Sequence, residues 1–120
     1  MKIVIIEDMD NYRERMGNAL EAAGHEVHLF SAGSENFVPT TLNSLIKKVK
    51  ALKPDRILID HDLRTSFTGA DVVAALPKGT QKKCISISSD GRDYCENRFS
   101  QKQLLPDPAI VARFVEVVIS

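Results

Sequence analysis

Arg56-Ile57-Leu58-Ile59-Asp60-His61-Asp62 is the stretch around which the chain is organised: a short apolar run that stops abruptly at two carboxylates one residue apart. Three consecutive apolar residues, two of them β-branched, fit a parallel-sheet strand covered on both faces. In open α/β sheets the functional crevice lies beyond the carboxyl ends of the strands, where Asp60 falls. A plainer reading is a strand ending in a polar, Asp-capped turn. Lys2-Ile-Val-Ile-Ile6 is a second run of the same kind, and it too ends in paired acids, Glu7 and Asp8. If the two strands are parallel neighbours, Glu7, Asp8 and Asp60 converge, and such a cluster cannot stay fully ionised without a cation or a shared proton. A hard divalent ion meets that need. Mg²⁺ takes one or two carboxylates with carbonyl oxygens, water and phosphate, which suits a shallow open site.

Composition sets bounds on this reading. With 120 residues, 43% hydrophobic and 27% charged, the chain is expected to form one domain, 1–120, with enough apolar material for a core. Sixteen basic and sixteen acidic residues balance to zero, which argues against a general nucleic-acid or membrane surface, and no basic patch stands out. No apolar run approaches the roughly 20 residues of a membrane span, and the amino terminus enters a strand directly instead of a signal peptide. A cytoplasmic location is expected. Cys84 and Cys95 lack metal-ligand spacing and are expected to be reduced, and His25, His28 and His61 share no such spacing either.

Strand and helix patterns alternate along the chain. Asn11 with Glu14 makes a capping-box-like start to a first helix, with Tyr12, Met16, Ala19, Leu20 and Ala23 at helical spacing until Gly24. Val27 to Phe30 is a second strand, followed by a Ser31-Ala-Gly33-Ser34 loop. Leu42, Leu45, Ile46, Val49 and Leu52 trace a second helix, with Lys47, Lys48 and Lys50 on its other face, until Pro54 and Asp55 interrupt it. Beyond the Asp60 strand, Arg64 to Gly69 reads as a polar loop with an exposed aromatic, Phe67. A brief helix through Val72, Val73 and Leu76 then stops at Pro77. Cys84 to Ile87 is the next strand, delivering Ser88, Ser89, Asp90 and Gly91 to the same rim. Asp107-Pro108 opens a last helix carrying Ile110, Val111, Phe114, Val115 and Val118. Between Asp93 and Leu105 the pattern is weak, and one helix and one strand are needed there if the alternation continues.

Five β/α units imply an α/β fold with a doubly wound, five-stranded parallel sheet in the flavodoxin-like order 2-1-3-4-5. The chain resembles the receiver domains of two-component response regulators, single-domain and chemotaxis-regulator-like, over nearly its whole length. The family's acidic pair after the first strand matches Glu7 and Asp8, and its phospho-accepting aspartate after the third strand matches Asp60. Its Ser/Thr after the fourth matches Ser88, its lysine after the fifth matches Lys102, and its aromatic switch position falls on Phe99.

Some positions depart from the family pattern. Gln103 and Arg64 stand where family members usually carry proline, and the Asp60 to Gly69 loop is about one residue longer. The Ser88 to Lys102 stretch is shorter by roughly two helical turns, so the fourth helix should be short or absent. The Gly33 to Asp55 segment is correspondingly long.

The resemblance implies a phosphoprotein of a phosphorelay or two-component system, and no enzyme beyond self-phosphorylation and self-dephosphorylation. Asp60 takes the phosphoryl group from a histidine kinase or phosphotransfer protein. Glu7, Asp8, Asp60 and the Asp62 backbone carbonyl hold Mg²⁺, with Asp8 the more direct ligand of the pair. Ser88 and Lys102 act catalytically on the phosphoryl oxygens, Ser88 and Phe99 form the switch, and the Asp62 side chain lies near the path of attacking water. Partners are then the kinase and a protein output target, with neither nucleic acid nor membrane, and the chain is a monomer or weak dimer. The output surface is expected on the first helix near Tyr12 and Met16, or else on the final helix with Phe99. Two alternatives stay open. One is a degenerate receiver that binds protein without phosphorylation. The other is a haloacid-dehalogenase-like phosphohydrolase, whose paired aspartates Asp60-His-Asp62 resemble, although Arg64 departs from that motif.

Overall fold

The structure is a computed structural model that describes residues 1–32, 41–90 and 94–120. Gly33 and Ser34 of the loop after the second strand, and Gly91 after the fourth, lie outside the described residues. Five strands form one parallel sheet in the order β2-β1-β3-β4-β5: β1 Lys2–Ile6, β2 Glu26–Phe30, β3 Arg56–Ile59, β4 Cys84–Ser86 and β5 Asn97–Arg98. The helices are α1 Asp10–Ala22, α2 Leu42–Leu52, α3 Gly69–Ala75, a single turn α4 Lys78–Gln81, and α5 Pro108–Ile119.

Alternation along the buried strands divides the core into two halves. Ile3 and Ile5 of β1, Leu58 of β3 and Ile85 of β4 face Met16 and Leu20 of α1 and Phe114 and Val118 of α5. Val4, Ile6, Ile57, Ile59 and Cys84 face Leu45 and Val49 of α2 and Val72 of α3. Both faces are covered, which explains why these strands read as continuous apolar runs. The register sets the site. Ile6 lies beside Ile59, so the residues after β1 and β3 emerge together at the carboxyl rim.

Local signals differ from the sequence reading at three places. The first helix begins at Asp10, one residue ahead of the expected capping box, with Met9 at its N-cap and no side-chain cap. The capping box of the described residues is at α3 instead, where Thr68 and Asp71 satisfy each other's main-chain N–H groups. Phe67 is buried against the α2 and α3 face, since the loop folds back over the sheet. Met16 is fully buried under α1, which removes it from the expected output surface, and Phe99 is buried too.

No helix occurs among the described residues between β4 and β5. The connection is only Ile87 to Glu96, below the dozen or so residues that a parallel crossover usually needs. β5 is correspondingly reduced to two residues, pairing Asn97 with Ile85 and Arg98 with Ser86. A 3-10 turn, Lys102–Leu104, then leads to α5. None of the described helices is long and apolar enough to cross a membrane.

Candidate functional site

Four strand ends deliver polar side chains to one rim. Glu7 follows β1, Asp60 follows β3, Ser88 lies two residues beyond β4, and Lys102 opens the 3-10 turn after β5. Lys102 is the centre of the cluster. Its Nζ donates to Glu7 Oε2 at 2.5 Å and lies 3.1 Å from Asp60 Oδ1. The ammonium is buried with Glu7, stands 5.3 Å from the centre of the Tyr12 ring, and gains a cation–π contact there. Two carboxylates around one buried ammonium relieve the like-charge repulsion that the sequence suggested a metal would relieve.

Glu7 is fully inaccessible, and burial pushes its carboxyl above the ordinary value while the Lys102 hydrogen bond and charge pull it back. Its other oxygen accepts from the Met9 main-chain N–H. Asp60 keeps 8% of its surface open, so the acceptor candidate is reachable while its Lys102 partner is not. The main chain at Asp60 is fixed from two sides. Its N–H donates to the Ile6 carbonyl, and the Gly69 N–H donates to the His61 carbonyl beside it. Gly69 has to be glycine here, because a Cβ would lie 2.1 Å from the Asp60 carbonyl oxygen.

Asp8 points away from Glu7. Ser31 Oγ, at the end of β2, donates to Asp8 Oδ1 at 3.0 Å, and Arg64 Nε stands 3.3 Å from Asp8 Oδ2. Arg64 has a left-handed backbone (φ 53), its N–H bonded to the Asp62 carboxylate, and its guanidinium also reaches Met9 Sδ. Ser88 is buried and donates to the Asp90 carboxylate. Tyr94 Oη donates to the Ile59 carbonyl at 2.6 Å, directly before Asp60, and its ring lies 5.5 Å from that of His61. Phe99 packs on Phe114 with ring centres 5.0 Å apart.

The structure therefore brings Glu7, Asp60 and Lys102 together, puts Asp8 and Ser88 at the same rim with other partners, and buries Phe99 behind them. The sequence reading missed three participants. In the sequence Arg64 stands out as a loop residue that departs from the family patterns, Ser31 reads as a loop residue, and Tyr94 carries no signal. A serine at a strand end and an arginine among acids are weak signals until the fold juxtaposes them. Among the described residues no three His, Cys, Asp or Glu side chains gather as a ready metal site. The donor chemistry still fits Mg²⁺ in its sparing mode, two aspartates with main-chain oxygens and water. Glu7, turned to Lys102 and inaccessible, does not offer an inner ligand in this arrangement.

No protein-family model matches the chain, and no curated protein matches it in sequence. Solved structures do match. A putative response regulator from Chloroflexus aurantiacus superposes with a TM-score of 0.68 at 16% identity over 99% of this chain and 98% of that one. A chemotaxis response regulator of Vibrio cholerae gives 0.67 at 17% identity over 98% and 97%. The response regulator TrrA of Thermotoga maritima, solved in complex with Mg²⁺-BeF, gives 0.63 at 18% identity over 83% and 85%. The chain thus has the fold of the response-regulator receiver domains, a five-stranded parallel flavodoxin-like sheet in the order 2-1-3-4-5.

Proposed function

We propose that residues 1–120 act as a single phospho-accepting receiver domain of a two-component system. Asp60 is the acceptor. The observation that carries this reading is the pairing of a reachable Asp60 carboxylate with a buried Lys102 ammonium 3.1 Å away, across two separate strand ends. A surface lysine has no reason to be buried at that place, whereas an ammonium held beside an acceptor stabilises the charge of a transferring phosphoryl group.

An Asp60 oxygen attacks the phosphorus of a phosphohistidine on a histidine kinase or phosphotransfer protein. The P–N bond breaks with its electron pair leaving on the imidazole nitrogen, and an acyl phosphate forms on Asp60. Attack of water on that phosphorus later returns the carboxylate and inorganic phosphate. Asp8 and Asp60, with the Asp62 carbonyl, would hold Mg²⁺, whose role is to neutralise phosphoryl oxygens. Lys102 shares that charge, and the Ser88 hydroxyl turns from Asp90 to a phosphoryl oxygen. Glu7 positions Lys102. Ser88 and Phe99 make up the switch, and the output is docking to a protein target from the cytoplasm.

A second reading, a module that binds protein without phosphorylation, draws on Arg64 standing at Asp8 where a cation would go. Intact mass after incubation with Mg²⁺ and acetyl phosphate separates the two. A gain of one phosphoryl group in the native chain and none in Asp60→Asn supports the receiver. No gain in either rejects it.

A further inference from the structure

The neutral overall charge conceals an asymmetry that folding creates. The stretch 41–54 holds Lys47, Lys48, Lys50 and Lys53 and the stretch 72–89 holds Lys78, Lys82 and Lys83, and neither contains an acid. The fold brings them side by side at the amino end of the sheet, since Lys53 and Pro54 lead into β3 and Lys83 leads into β4. Asp60 and Ser88 leave those same strands at the opposite rim. Here a groove of about 330 Å³ is lined by Lys50, Lys53, Pro54, Pro77, Thr80 and Lys83. A second, of about 510 Å³, lies across the α4 turn, with Lys78 and Lys82 on its wall and Glu96 as its acid.

The lysines of the first groove are exposed, and among the described residues none of them lies in an ion pair. Lys83 Nζ reaches the Pro54 carbonyl at 3.5 Å, and its charge also acts on Asp55. Asp55, the acid next in sequence, is engaged by the Lys2 main-chain N–H at 2.8 Å. The helix dipole accounts for Lys50 in the last turn of α2. It does not account for Lys83, which follows the α4 turn and leads into β4.

We propose that this lysine-rimmed groove docks an acidic peptide segment of a protein partner, on the rim opposite Asp60. Charge complementarity selects the class: three ammonium groups surround the groove, and none of its described lining residues is an acid. The groove walls select peptide over nucleic acid. Pro77, exposed beside the buried Pro54, supplies an apolar surface for a side chain between acidic residues, and among the described lining residues there is neither an arginine nor an aromatic ring to read phosphates bidentately or stack bases. The site is independent of phosphoryl chemistry, so a docked partner and a loaded Asp60 can coexist.

The test uses the full chain with a short fluorescein-labelled peptide carrying paired glutamates around a leucine, and its glutamine counterpart. Anisotropy should show binding of the glutamate peptide alone, weakening as salt rises. Lys50→Glu/Lys53→Glu/Lys83→Glu should reduce affinity by about tenfold or more, while Arg15→Glu on α1 leaves it unchanged. Carbodiimide coupling should join the peptide to the groove lysines. Circular dichroism checks folding, and Lys50→Gln/Lys53→Gln/Lys83→Gln provides a milder variant. Absence of binding, binding by both triple variants as tight as that of the native chain, or coupling elsewhere overturns the proposal. So does displacement of the peptide by a single-stranded oligonucleotide at lower concentration, which marks a nucleic-acid surface. Self-association of the native chain that the triple variants abolish marks a second copy as the occupant and equally overturns it.

Discussion

Replacing Lys102 by methionine removes the only cation paired with the Glu7 carboxylate among the described residues while keeping the length and much of the volume of the side chain. Glu7 has no exposed surface through which water could compensate. Breaking a buried pair from one side costs about 3–5 kcal/mol, so Lys102→Met should lose that much stability at neutral pH. For a domain of this size that is roughly 10–20 °C in Tm. The pH dependence provides the sharper check. Burial already holds the Glu7 carboxyl above its ordinary 4.5, and Lys102 is what opposes the rise. Without Lys102 the folded chain binds a proton on Glu7 at a pH where the unfolded chain does not.

A raised folded pKa means that the favourable contribution is complete below about 4.5 and is lost as pH climbs through the folded value. The deficit of Lys102→Met relative to the native chain should therefore shrink on acidification, by up to about 1.4 kcal/mol per pH unit. Urea denaturation of both chains between pH 4.5 and 7.5 measures it. The double variant Glu7→Leu/Lys102→Met removes both charges and should return to within about 1 kcal/mol of native, or exceed it. A single variant that loses less than about 1 kcal/mol at pH 7, or a deficit independent of pH, would refute the view that Glu7 and Lys102 form a buried ionic pair.

Three further outcomes are expected. Gly69→Ala forces a Cβ against the Asp60 carbonyl and endangers the Gly69 to His61 hydrogen bond, so it should cost about 2–4 kcal/mol; urea unfolding within about 0.5 kcal/mol of native would contradict the close approach. Arg64→Ala frees Asp8 from an exposed counter-ion and should tighten Mg²⁺ binding about two- to fivefold, whereas Asp8→Ala should weaken it strongly and Glu7→Ala far less; calorimetric titration decides, and unchanged affinity in Arg64→Ala rejects a competing role for the guanidinium. Burial pushes the Cys84 thiol up to about 12, and this cysteine is in no disulfide, so iodoacetamide at pH 8 should leave Cys84 unmodified until the chain is denatured, as read by intact mass.

The sequence by itself determined the layers and the order of the sheet. Strands as apolar as Lys2–Ile6 and Arg56–Ile59 must be covered on both faces, and the helical periodicity of Leu42–Leu52 and Pro108–Ile119 supplies the cover. That places Glu7 and Asp60 at one rim, because parallel neighbours end on the same side. The shortened connection before Lys102, with its fourth helix short or absent, was legible too, as a matter of chain length. What the sequence could not determine was pairing at that rim. Whether Glu7 turns to Lys102 or outward, and whether Asp8 meets Ser31 and Arg64, depends on side-chain directions and on a left-handed turn at Arg64 that no local pattern announces. Burial of Phe67 and Met16 likewise depends on how a loop and a helix settle on the sheet. Net charge shows the same limit: it is a sum along the chain, whereas the lysine-rimmed groove exists only where α2 and the chain around α4 lie against each other in space.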